Sequence, residues 1–213
     1  AMQALLENMT YANTSAQPTL GDRYVTLVSI SDDGGTANGG VDTAELYDYV
    51  TVTVAAPANA APVVISSGGT TAFSEGNNVT STPVAIDNSL TLNDSDNATL
   101  AKATVSVAGN FQSGEDHLVF SNNNPSTMGN ISASYNSVTG VLELTSNGAT
   151  ATLAQWQAAL RSVTYTNSSD DPNTSNRTIS FTVNDGTSNS STGTKVITVG
   201  SVNDTPIVHS SNG

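Results

Sequence analysis

The sequence predicts an all-β chain: a tandem array of β-sandwich repeats with one short helix per repeat. Three observations carry this expectation. Apolar residues alternate with a period of two along many short segments, as in half-buried strands. Turn-forming clusters such as Asn136-Ser137-Val138-Thr139-Gly140 and Asn184-Asp185-Gly186 separate those segments. The chain also matches itself. Shifted by 154 positions, Gln3-Ala4 meets Gln157-Ala158, Leu6 meets Leu160 and Thr10-Tyr11 meets Thr164-Tyr165. In the same register Asn13 meets Asn167, Ser15 meets Ser169, Pro18 meets Pro172 and Arg23 meets Arg177. Self-similarity at a fixed offset is the signature of a repeat architecture.

The repeat sets the domain plan. Ala61-Pro62-Val63-Val64 resembles Thr205-Pro206-Ile207-Val208 at an offset of 144. Residues 1–60 are therefore expected to be the C-terminal part of a first repeat, 61–205 one complete repeat, and 206–213 the start of a next. The unequal offsets give the first copy a longer excursion, about Asp33 to Asp48, between its last two strands. The junction Ala55-Ala56-Pro57-Ala58-Asn59-Ala60-Ala61-Pro62 is a short linker stiffened by proline. Its counterpart is Ser201-Val202-Asn203-Asp204-Thr205-Pro206.

In chain order, alternation predicts strands at Tyr24–Ile30, Tyr49–Val54, Pro62–Ser66, Ser89–Leu92, Ala103–Ala108 and His117–Phe120. Further strands are expected at Ile131–Tyr135, Val141–Thr145, Ser162–Tyr165, Thr178–Val183 and Lys195–Val199. One helix is expected from Leu153 to Arg161. Thr152 and Gln155 have capping-box spacing, and Trp156, Ala159 and Leu160 share one face. That face is expected to pack Trp156 and Leu160 onto a sheet. The equivalent in the first copy is Met2–Glu7.

Composition excludes several functions. Among 213 residues there are 5 Lys+Arg against 18 Asp+Glu, a net charge of −13. Such a surface cannot neutralise phosphates, so nucleic acid is not expected as a partner. It is repelled by anionic membranes, and no apolar run of about 18 residues is present to insert into a bilayer. The absence of cysteine removes disulfides, thiolate-bound metals and cysteine nucleophiles.

The series Phe73-Ser74-Glu75-Gly76, Val84-Ala85-Ile86-Asp87 and Leu90-Thr91-Leu92-Asn93-Asp94-Ser95-Asp96 resembles cadherin-like tandem repeats of very large bacterial surface adhesins. So do Gly114-Glu115-Asp116-His117-Leu118, Thr139-Gly140-Val141-Leu142-Glu143-Leu144, Gln157 to Tyr165, Arg177 to Gly186, and Val202-Asn203-Asp204-Thr205-Pro206. The resemblance spans nearly the whole chain. It implies Ig/cadherin-like sandwiches, Ca²⁺-stiffened and adhesion-type, in secreted or cell-surface proteins that are often of the RTX type. Neighbouring repeats of the same chain would be the partners, with like repeats or a cell-surface glycan or protein as further ones.

Calcium takes six to eight oxygen ligands, mostly from Asp, Glu, Asn and backbone carbonyls. Candidate ligands at loop positions are Asp94, Asp96, Glu75, Asp116, Asp185 and Asp204. Alternate residues of an extended segment point the same way, so Asp94 and Asp96 are expected to face one ion. Solvated turn residues are the competing reading of all six. Asn203-Asp204 resembles the cadherin linker. The first linker has Asn59-Ala60 there, so the two junctions are expected to differ in calcium affinity. Asp42, Glu45 and Asp48 read as a solvated acidic hairpin.

An enzyme is not expected. His117 and His209 are the only histidines, and no triad or zinc signature accompanies them. Trp156 and Tyr165 read as core. Tyr47 and Tyr49 are better platforms for a ligand. The expected function is an extender module of a large adhesin. A carbohydrate- or protein-binding module, accessory to a secreted polysaccharide-degrading enzyme, is the alternative. If residues 1–60 are ordered, their open face is expected to be covered by a second copy, a homodimer through the incomplete repeat.

Overall fold

A computed structural model describes residues 8–15 and 18–206. The chain divides into two compact units, Ala1–Ala58 and Asn59–Gly213. The first is built on an antiparallel hairpin of β1 (Gly21–Ser31) and β2 (Thr43–Val54), paired from Gly21 with Val54 to Ser31 with Thr43. The register shifts between Leu27 and Ser29, where Tyr47 of β2 takes a φ of 37°. The excursion expected over Asp33 to Asp48 is therefore shorter. β2 begins at Thr43 and pairs with the end of β1 beyond this bulge, and a bulge breaks the alternation that marks a strand. The helix expected at Met2–Glu7 lies outside the described residues, as do residues 207–213 of the expected next repeat.

The second unit begins with β3 (Val63–Ile65), β4 (Thr70–Ser74), β5 (Val84–Ala85), β6 (Thr91–Asn93), β7 (Lys102–Gly109) and β8 (Asp116–Val119). It continues through β9 (Ile131–Asn136), β10 (Val141–Ser146), helix α1 (Leu153–Ser162), β11 (Thr164–Asn167), β12 (Arg177–Asn184) and β13 (Gly193–Gly200). The larger sheet has the order β4-β13-β12-β7-β10-β9, and β5-β11-β8 forms a smaller one. β3 and β6 pair separately. Only β4 and β13 run parallel; the other pairs are antiparallel. The fold is thus all-β and sandwich-like, with one substantial helix.

Period-two alternation explains which face is inward. Ala103, Val105 and Val107 of β7, Ile179, Phe181 and Val183 of β12, and Ile197 and Val199 of β13 are buried. Between them the opposite face carries polar pairs, such as Ser106 Oγ and Ser180 Oγ at 2.7 Å. Phe73 of β4 meets Tyr165 of β11 edge to face, ring centroids 5.2 Å apart, joining the two sheets. β4 and β5 are strands that alternation did not mark. β4 owes its order to parallel pairing with β13, more than a hundred residues away, and β5 is only two residues long.

Helix α1 forms where the capping box stands. Thr152 Oγ1 accepts from Gln155 N, and Gln155 Oε1 accepts from Thr152 N at 2.9 Å. The expected strand Ser162–Tyr165 begins two residues later, because Ser162 is the last helical residue and Val163 its C-cap. Trp156, Ala159 and Leu160 are buried. Trp156 Nε1 donates to Leu100 O at 3.0 Å, and Arg161 Nε to Leu90 O at 2.7 Å, so the helix is bonded to the chain beneath it. Replacing Trp156 by Ala should cost about 3–5 kcal/mol through the cavity it leaves. Urea unfolding followed by far-UV circular dichroism measures this, and a cost below about 1 kcal/mol would contradict the packing described.

Candidate functional site

Carboxylates gather where strands end. β4 runs into Glu75, β13 into the segment carrying Asp204, and the loop after β11 carries Asp170. One ligand oxygen from each of Glu75, Asp170 and Asp204 lies within 4.8 Å of the others. Among the described residues this is the one group of three acidic or histidine side chains so close. Glu75 is buried. Its Oε1 accepts from Val202 N at 2.6 Å, while Oε2 is buried without a hydrogen-bond partner. An unpaired buried carboxylate oxygen is costly and is met by a proton or a cation. Asn78 N donates to Asp204 Oδ1 at 2.9 Å and Thr205 N to Asn77 Oδ1 at 3.1 Å, which tie Asp204 to the loop after Glu75. The Asp204 charge, followed by desolvation and a hydrogen bond with Asp204, raises the Asp170 carboxyl above its ordinary value.

A second acidic group stands at the other end of β12. That strand runs from the Asp170 side to the turn carrying Asp185. Asp185 Oδ1 accepts from Thr187 N and Ser188 N at 2.6 and 2.7 Å, and Oδ2 accepts from Asn59 Nδ2 at 2.9 Å. Desolvation, the largest influence on its carboxyl, acts upward. The hydrogen bonds from Ser188, Asn59 and Thr187 together outweigh it and hold the carboxyl below its ordinary value. Asn59 also accepts from Asn97 Nδ2, and Ala60 N donates to Asp96 Oδ2 at 3.0 Å.

Asp94 and Asp96 do not point the same way from an extended strand. β6 ends at Asn93, and Asp94 Oδ1 accepts from Asp96 N and Asn97 N, bending the chain into a turn. Asp96 is directed to the backbone of Ala60. Asp94 is buried, and its Oδ2 has no hydrogen-bond partner, the second such carboxylate oxygen after Glu75.

Asp116 corrects the sequence reading outright. It is fully buried at the start of β8, and its oxygens are saturated by protein donors. Oδ1 accepts from Tyr165 Oη and from Asn167 Nδ2 at 2.8 Å; Oδ2 accepts from Gln112 N and Arg177 Nε, both at 2.8 Å. Arg177 is itself fully buried. Four donors, one of them cationic, leave no coordination position for calcium. Burial first, then the hydrogen bond to Asp116, raises the Tyr165 hydroxyl pKa well above its ordinary value, so Tyr165 stays a donor.

Sequence reasoning missed Asp170. Its signal was the acidic pair Asp170-Asp171 before Pro172, in the loop following a strand. Trp156 and Tyr165 are core residues, as expected. Glu45 accepts from Tyr47 Oη and Asp48 from Tyr49 N, so these acidic residues serve local contacts of the exposed hairpin.

No protein-family model matches the chain. No solved structure matches it. Over 148 residues, 69% of this chain, it is 35% identical to halomucin of Haloquadratum walsbyi. The matched stretch is 1% of that protein's length. Among the described residues, no helix is long and apolar enough to cross a membrane.

Two outcomes test this geometry. Arg177→Leu strands the buried Asp116 charge and should cost about 3–5 kcal/mol in urea unfolding; a cost within about 1 kcal/mol would mean that the pair is dispensable. A carboxyl raised in the fold contributes stability that is present below its unfolded value and lost as pH rises through its folded value. In chelator-treated protein, Asp170→Asn should therefore remove a loss of stability that sets in as pH rises above 3.8. Melting temperatures of the two proteins across pH 3–7 read this, and parallel profiles would refute it.

Proposed function

We propose that the chain is a non-enzymatic, calcium-binding extender module of a large secreted or cell-surface protein. It would hold neighbouring repeats in a stiff array and so project adhesion. The observation that carries the reading is the cluster of Glu75, Asp170 and Asp204, with Glu75 Oε2 buried and unpaired. Three carboxylate ligands suit a hard divalent cation and leave positions for water or for oxygens of a following repeat. Asp94 Oδ2, equally unpaired, offers one further ligand oxygen at the opposite end of β12.

The mechanism follows from charge. Without a cation the Asp204 charge repels that of Asp170, which raises the Asp170 carboxyl above its ordinary value. An ion reverses the sign of that interaction, orders the loops after β4, β11 and β13, and fixes the exit of the chain toward the next repeat. The resemblance of the loop and linker motifs to cadherin-like repeats supports this reading. So does the likeness to halomucin, of which the matched stretch of 148 residues is only 1%, as befits one module of a very large protein.

Glycan or protein binding is the second reading. It would fall on the exposed ring pair Tyr24–Tyr49 of the first unit, whose centroids are 5.6 Å apart. A glycan array probed with the intact chain tests it.

For the main reading, the melting temperature is measured in EDTA and then across a calcium titration. Stabilisation should reach about 2.7 kcal/mol when calcium stands 100-fold above its dissociation constant. Glu75→Gln and Asp204→Asn should each abolish most of the shift. No shift up to millimolar calcium would reject it.

A further inference from the structure

The first unit repeats the geometry around Arg177, with one member missing. Arg177 stands opposite Ile197 across β12 and β13; Arg23, its counterpart 154 residues earlier, stands opposite Val52 across β1 and β2. Asn167 Oδ1 accepts from Ser169 N at 2.8 Å, and Asn13 Oδ1 accepts from Ser15 N at 2.9 Å. The Nη1 of Arg177 donates to the carbonyl of Ser175, two residues back, as the Nη1 of Arg23 does to that of Gly21. Tyr165 has its counterpart in Tyr11.

Three of the four side chains in the buried cluster are thus present in the first unit, two of them with the same local bonds. The fourth is the carboxylate of Asp116. In the second unit it arrives on β8, from the segment preceding the helix. Among the described residues Arg177–Asp116 is the one salt bridge, so Arg23 has no carboxylate partner there. The apolar surround is equally open. Met9, Tyr11, Val25, Leu27, Val50 and Val52 line a cavity of about 480 Å³. At the matching positions Val163, Tyr165, Ile179, Phe181, Lys195 and Ile197 are all buried.

We propose that this face of the first unit is the docking surface for the first part of a like repeat, a sheet equivalent to residues 61–162. Tyr11, Asn13 and Arg23 receive from it an aspartate at the position of Asp116. The apolar cavity alone would accept many surfaces; the arginine, already held by backbone carbonyls, selects one that brings a carboxylate. Chain order identifies the source. In the second unit every element covering the β12–β13 face precedes that hairpin, and Ser162 leads into Val163, whose counterpart is Met9. The occupant is therefore a segment joined ahead of Met9.

The test is a chain in which a copy of residues 61–162 is placed directly ahead of Met9, with residues 9–213 retained. Hydrogen exchange of β1 and β2 is compared with that of β12 and β13 in the same molecule. Exchange in β1 and β2 should slow by about 100-fold or more toward the β12–β13 level. Asp116→Asn in the added copy, or Arg23→Met, should each reverse about tenfold or more of that protection. Persistent protection of β12 and β13 shows that the extended chain is folded. Unchanged β1–β2 exchange would overturn the proposal, as would variants as protected as their parent. Sedimentation of the unextended chain closes the remaining route: a monomer is expected, and a dimer with β1 and β2 already protected would make a second copy the occupant and overturn the proposal.

Discussion

The carboxylate of Asp116 is where the two sheets of the second unit are bonded to each other by charge. It stands on β8 of the smaller sheet, and its cationic partner Arg177 stands on β12 of the larger one. Burying either ion alone would cost several kcal/mol, so each is tolerable only beside the other, although Arg177 Nη2 stays buried without a hydrogen-bond partner. Tyr165, Asn167 and the Gln112 backbone complete the hydrogen bonds of Asp116. This fixes the register of β8 against β11 and sets where the loop after β11 begins. Tyr165 also meets Phe73 on β4, so the same cluster governs the strand that delivers Glu75.

The ends of the sandwich answer to a different constraint. Eighteen acidic residues face five basic ones, and the one salt bridge among the described residues is spent in the core. The loop carboxylates must therefore be neutralised by backbone N–H groups, by water or by added cations. At Asp185 the backbone and Asn59 suffice. At Glu75 and Asp94 they do not, since each keeps one buried oxygen without a donor. That contrast separates acidic residues that shape turns from those that make a reading as cation ligands attractive, which mere abundance of Asp could not do.

Much of the architecture was legible from local patterns. Alternation located most of the long strands, and Thr152 with Gln155 marked the helix within one residue at its C-terminal end. β4 escaped because its pairing is parallel and distant, and the start of β2 escaped because a bulge at Tyr47 interrupts the period. The site was legible only in part. Glu75 and Asp204 were named from their loop motifs, but Asp170 was not, since nothing local joins it to them. Asp116, an acidic residue after Gly114-Glu115, reads as a loop ligand, whereas it begins β8 and is fully buried.

By itself the sequence determined the all-β class, the capped helix and the internal repeat, because period, capping chemistry and self-similarity are properties of residues close together or identically spaced. Tertiary structure alone decided which carboxylates meet. Glu75, Asp170 and Asp204 converge only because β4, β11 and β13 end on the same side of the sandwich, and Asp116 is claimed by Arg177 only because the sheets face each other. Electrostatic role depends on distance and desolvation, and both are set by packing between segments that lie far apart along the chain.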